Sequence, residues 1–106
     1  MSMGVNVSYK HNNLMAMRKH YWNDTSVKVQ QEKQALWQLL QQQQLFATLH
    51  EDDVKYFFFT LPSEVIVKGY ALGFEHQRVQ SMMRQHITEN KSRLERRELF
   101  KIKYRM

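Results

Sequence analysis

The stretch from Leu61 to Ile87, LPSEVIVKGYALGFEHQRVQSMMRQHI, limits most strongly what this chain can fold into. Two of the chain's three glycines, Gly69 and Gly73, stand here four positions apart. Gly73 suits a turn that requires positive φ, which glycine adopts at no steric cost. Gly69 is small enough for the second helix to cross the first closely there. Leu72 supplies an apolar residue just before the turn, and Phe74, Val79 and Met82 follow it. The pattern is an apolar segment, a glycine turn, and a helix with a polar outer face.

That second helix is expected from Glu75 to about Thr88. Val79, Met82, Met83, His86 and Ile87 would face inward. His76, Gln77, Arg78, Gln80, Ser81, Arg84 and Gln85 would face outward. Gln and Arg make paired hydrogen bonds to adenine and guanine edges in the major groove, while Arg, Ser and His can hold phosphates. A solvated helix face accounts for the same residues, because polar side chains point outward in any amphipathic helix. The spacing of Gly69, Gly73, Phe74, Val79 and Met82 resembles that of helix-turn-helix DNA-binding proteins. That resemblance implies two helices joined at Gly73, the second presented to DNA. Lys68 stands where such motifs usually place an apolar residue.

The chain has 106 residues and a net charge of +6. Its length predicts one domain, and its 42% apolar content suffices for a modest core. Up to Met83, eight Lys/Arg face seven Asp/Glu; from Arg84 onward, eight face three. The positive excess is therefore concentrated at the C-terminal end. Such a block attracts nucleic acid, and would also attract an acidic protein or a membrane surface. No cysteine is present, which excludes disulfides and thiolate metal sites. No apolar run approaches the roughly 18 residues that span a bilayer, and MSMGVNVSYK lacks the apolar core of a signal peptide. A cytoplasmic protein without membrane partners is expected.

In chain order, Gly4 to Lys10 alternates Val5, Val7 and Tyr9 with Asn6 and Ser8, predicting a short strand. His11 to Asn13 would turn, with Asn13 capping a short helix, Leu14 to about Trp22. Leu14, Met17 and Tyr21 share one face of it. After a turn at Asn23 to Thr25, a long helix is expected from about Ser26 to Leu49. Its apolar stripe is Leu36, Leu39, Leu40, Phe46 and Ala47, with Val29 as an extension and Trp37 at its margin. This helix is either the core spine or a dimer contact, and Gln41 to Gln44 belong to its surface. His50, Glu51, Asp52 and Asp53 open the next element, where carboxylates oppose the positive end of a helix dipole.

Val54 to Leu61, VKYFFFTL, admits two readings. As a helix, it places Val54, Phe57, Phe58 and Leu61 on one face. As a strand, its aromatic content is equally suitable, and Pro62 and Ser63 could turn it back into Val65 to Tyr70. The β-branched run Val65, Ile66 and Val67 is poor helix material and favours that hairpin. A hybrid, one strand followed by two helices, resembles ribbon-helix-helix repressors. At the C-terminal end the second helix can continue through Leu94 to about Arg97, with Lys91, Arg93, Arg96 and Arg97 clustered there. Phe100, Ile102, Tyr104 and Met106 then alternate with Lys101, Lys103 and Arg105, predicting a strand with one basic face.

No two of His11, His20, His50, His76 and His86 are three or four apart, so no helix offers a paired-histidine metal site. No phosphate-binding loop, dinucleotide fingerprint or Ser/His/Asp arrangement is present. Catalytic residues, metal and cofactor are all expected to be absent. The fold expected is α+β: a mainly helical single domain over 1–106, with a small antiparallel sheet involving the N- and C-terminal strands. Its parts are a strand and short helix (1–24), a long helix (25–50), a helix-turn-helix unit (51–88) and a basic segment (89–106). The expected function is a small DNA-binding regulator. His76, Gln77, Arg78, Gln80, Ser81, Arg84 and Gln85 would meet DNA, and Arg93, Arg96, Arg97, Lys101, Lys103 and Arg105 would grip phosphates. A homodimer fits that role. The competing expectation is a protein-interaction module that acts as an inhibitor, adaptor or anti-defence protein.

Overall fold

The computed structural model of the chain describes residues 6–45 and 48–95. These residues form helices α1 (Asn6–Asn23), α2 (Val27–Gln43), α3 (Glu51–Thr60), α4 (Ser63–Leu72) and α5 (Gln77–Glu95), with no strand among them. The α+β expectation is overturned. The expected sheet lacks its N-terminal strand, because Asn6 to Lys10 are helical. The expected C-terminal strand, with Lys101, Lys103 and Arg105, lies outside the described residues, as do Arg96 and Arg97.

Helix α1 shows why the alternation at its start misleads. Its C-terminal half is anchored: Tyr21 and Arg18 are buried, and Leu14 and Trp22 pack against the core. Once that turn of helix exists, extending it costs far less than nucleating anew. The helix therefore runs back through Asn13 and Asn12, the expected turn, and through Val7 and Tyr9. Two or three alternating apolar residues are too few to oppose this.

Helix α2 starts at Ser26, whose hydroxyl accepts from the Val29 N–H at 3.3 Å. It ends at Gln44, a non-glycine residue in the left-handed region (φ 52°, ψ 38°). The helix thus stops earlier than the expected Leu49, and Phe46 and Ala47 lie outside the described residues. Leu36, Leu39 and Leu40 are buried against the rest of the core, which makes α2 its spine. Gln41 and Gln42 are exposed.

The Val54–Leu72 segment is two helices, which removes both the hairpin and the ribbon-helix-helix alternatives. Val54, Phe57, Phe58 and Leu61 are all buried, on the single face that helical spacing gives them. The α3 N-terminus is closed by Asp53, whose carboxylate accepts from the His50 N–H at 3.0 Å. Pro62 breaks the chain and its carbonyl accepts from Val65 and Ile66, starting α4. The β-branched run is tolerated there because Val65 and Ile66 bury completely or nearly so. Burying each such side chain yields roughly 1.5–3 kcal/mol, well above a helix-propensity penalty of a few tenths. Val67, facing out, is 52% exposed.

An aromatic cluster joins these helices. Tyr21 stacks on Phe58 with centroids 4.8 Å apart, and Phe74 meets both edge-on at 5.1 and 5.4 Å. Trp22 tilts against Phe58 at 5.7 Å. Edge-on and offset pairs of this kind add about 0.5–1.5 kcal/mol each beyond simple burial. Arg18 ties α1 to the break after α3, donating from Nη2 to the Leu61 carbonyl at 2.6 Å.

A candidate recognition face on α5

Helices α4 and α5 are joined by four residues, Gly73 to His76. Gly73 adopts φ +98° and ψ 141°, a conformation that only glycine enters cheaply. Its N–H donates to the Gly69 carbonyl at 2.7 Å, which closes α4. The close approach expected at Gly69 is present, with a different partner. A Cβ at Gly69 would lie 2.2–2.6 Å from carbons of the Phe74 ring, so the turn residue, and not the second helix, occupies the gap. Phe74 is fully buried. Leu72, the apolar residue before the turn, is 40% exposed, and Lys68 is also exposed.

The start of α5 is fixed by His76. Its Nδ1 accepts from the Arg78 N–H at 3.0 Å, and its carbonyl accepts from the Gln80 N–H at 2.9 Å. His76 therefore caps the helix. Val79, Met83, His86 and Ile87 are buried as their spacing predicts, and Met82 is half-buried. Helical geometry then carries Gln77, Arg78, Ser81, Arg84 and Gln85 to the opposite side, where all five are exposed together with His76; Arg93, farther along the helix, is exposed as well. Gln80 departs from the outward set. It is half-buried and its Nε2 donates to the Phe74 carbonyl at 3.0 Å, so it fastens the turn to the helix. Gln85 is engaged on the surface, donating to Glu89 Oε2 at 3.0 Å. Along α5 four cations, Arg78, Arg84, Lys91 and Arg93, stand with two anions, Glu89 and Glu95.

The regular backbone breaks at Asn90 (φ −127°, ψ 22°). The cause is local. The Asn90 side-chain amide donates to the His86 carbonyl at 2.9 Å, taking the acceptor that the helix would offer to its own backbone. His86 is buried beside Phe57, 6.1 Å between centroids, and its Nε2 has no described hydrogen-bond partner. Burial holds its pKa below the ordinary 6.5, and Arg93 pushes it the same way while Glu89 opposes.

Behind the turn lies a cavity of about 120 Å³, lined by residues of α1, α2, α4 and the turn, including Glu32, Tyr21, Tyr70 and Phe74. Glu32 was not singled out among the expected site residues. Its place in the stripe between Val29 and Leu36, at apolar spacing, is the sequence signal that marks it. Among the described residues, no group of three His, Asp or Glu converges to hold a metal ion. None of the helices described is long and apolar enough to cross a membrane.

The fold defined by these residues is an all-helical domain whose α4–turn–α5 unit presents one exposed polar face. Comparison with protein-family models, curated proteins and solved structures finds no match.

Proposed function

We propose that the chain is a small nucleic-acid-binding regulator that meets DNA through α5. The observation that supports this reading is the single exposed face formed by His76, Gln77, Arg78, Ser81, Arg84 and Gln85, held out by a turn whose inner side is buried at Phe74 and Val79. Arg78 and Arg84 have the planar donors that pair with guanine edges or phosphates, and Gln77 and Gln85 can pair with adenine. Ser81 between them is short enough for close approach. Gln80 is withdrawn from this set by its bond to the Phe74 carbonyl. Arg93, with Arg96, Arg97, Lys101, Lys103 and Arg105 in the basic C-terminal segment, supplies phosphate contacts. The role assigned to the chain is binding, with no catalytic step.

The deciding experiment is salt-dependent binding to duplex DNA by the full chain. Affinity should fall steeply with salt as phosphate contacts release counterions. Retention that is weak and independent of salt refutes the reading.

The second reading, a protein-interaction module, draws on a different observation. Val67 and Leu72 on α4 and Val27 on α2 are apolar and 52%, 40% and 73% exposed. Elution from heparin and from random duplex at low salt favours this reading over the first.

A further inference from the structure

The cavity behind the turn has an unusual floor. Glu32 lies mid-helix in α2 and is 3% exposed. A buried carboxylate is costly unless several donors compensate it, and its two oxygens can accept about four hydrogen bonds. Two partners are described here. The Tyr21 hydroxyl donates to Oε1 at a long 3.3 Å, and Lys28 Nζ stands 3.6 Å from Oε2. Lys28 is a poor counterion, because its side chain is 77% exposed and it precedes Glu32 by four residues, the weaker orientation for such a helix pair. Burial and the neighbouring carboxylate hold the Tyr21 hydroxyl far above its ordinary pKa, so it remains a donor.

The space beside this carboxylate is open. A Cβ added at Gly73 would find Glu32 Oε2 at 3.6 Å as its only near neighbour. The cavity of about 120 Å³ exceeds several-fold the volume that holds one water. Its walls include the rings of Tyr21, Tyr70 and Phe74, which lie within 5.1–6.1 Å of one another and are mutually inclined by 54–81°. Tyr70 is held in place by donating its hydroxyl to the Met17 carbonyl. Asp24 also lines the cavity, its Oδ1 accepting from the Ser26 N–H at 2.8 Å. A buried carboxylate with spare acceptors, set among aromatic rings, is complementary to a cation that both donates hydrogen bonds and stacks.

We infer that this cavity is a binding site for a small organic cation, its guanidinium or alkylammonium head seated on Glu32 beside the rings of Tyr21 and Tyr70. The head displaces Lys28 from Oε2 and lies against the aromatic walls. The site is independent of any contact that α5 makes with nucleic acid.

The test is an NMR titration of the full chain with methylguanidinium chloride and, separately, butylammonium chloride. Sodium chloride at equal ionic strength is the control. Saturable shifts at the amides of Gly69, Tyr70 and Gly73 are expected, with a dissociation constant on the order of 1 mM for so small a probe. Glu32→Gln should weaken binding about tenfold or more by removing the charge. Lys28→Ala, a surface change that leaves the fold intact, should tighten it about twofold by removing the competitor. A capped Gly-Arg-Gly peptide in a third arm distinguishes a protein-borne guanidinium from a free one, and saturable binding of either supports the site. Shifts that merely follow the sodium chloride control, or binding that Lys28→Ala weakens, overturn it. So does binding undiminished in Glu32→Gln, should that variant fold.

Discussion

Two helical surfaces in this molecule look alike in composition and differ in setting. The outer face of α2 exposes Lys28, Gln30, Gln31, Gln34, Gln38, Gln41 and Gln42. The outer face of α5 exposes Gln77, Arg78, Ser81, Arg84 and Gln85. Both are rich in glutamine, so amide chemistry does not separate them. What separates them is guanidinium and support. α5 carries two arginines on its outer face, and its first turn is fixed by Gly73, by the buried Phe74 ring and by the His76 cap. α2 is held at its start by hydrogen bonds: Ser26 caps Val29, Asp24 Oδ1 accepts from the Ser26 N–H at 2.8 Å, and Gln30 Nε2 donates to the Asp24 carbonyl at 2.9 Å. The two faces therefore differ in their guanidinium groups and in the buried ring behind the first turn, and the recognition role proposed for α5 rests on that difference.

The comparison can be broken most decisively at Phe74. Phe74→Ala empties a fully buried site shared by the turn, Tyr21 and Phe58, and should cost about 3–5 kcal/mol of stability by denaturant unfolding. A loss below about 1 kcal/mol would mean that the turn does not depend on this ring. Gly69→Ala sets a methyl carbon inside the Phe74 ring contact and should cost about 1–3 kcal/mol. Ala there at no cost would show that the α4 seam is looser than described.

The functional half of the comparison is sharpened by paired binding measurements. Arg78→Ala or Arg84→Ala should each weaken DNA binding by about 1–3 kcal/mol at fixed salt. Gln34→Ala and Gln38→Ala on α2 should change it by less than about 0.5 kcal/mol. Equal losses on both faces would erase the distinction.

The smallest effect concerns pH. The folded-state pKa of His86 lies below 6.5, so the unfolded chain binds its proton more readily. Stability from this group is complete above about pH 6.5 and is lost as pH falls from there toward the folded value. The midpoint of urea unfolding should therefore drop over that interval. In His86→Leu this part of the pH dependence should vanish.

Much of the helical order is legible in the residues themselves. Val54, Phe57, Phe58 and Leu61 share a face only if the segment is a helix, and their burial follows. Gly73 announces its own conformation, because no other residue reaches φ +98° without strain. The alternation at Val7 and Tyr9 points to a strand, but over so few residues it gives way to the helix growing from Tyr21 and Arg18. The β-branched Val65 and Ile66 show the same principle: local preference yields when tertiary burial is worth several times more. Gln80 and Glu32 mark the limit of pattern reading. Each is polar, yet one is drawn half inward by a carbonyl six residues back, and the other is enclosed by helices distant in sequence.

The interruption at Asn90 sets a boundary on how α5 can be measured. Up to that residue, one angular step of about 100° per position tells which side chains are neighbours. Past it the count has to begin again. On an unbroken helix, nine such steps would set Arg93 half a turn from Arg84, on the side that buries Val79 and His86. The backbone leaves that geometry at Asn90, and Arg93 stands exposed.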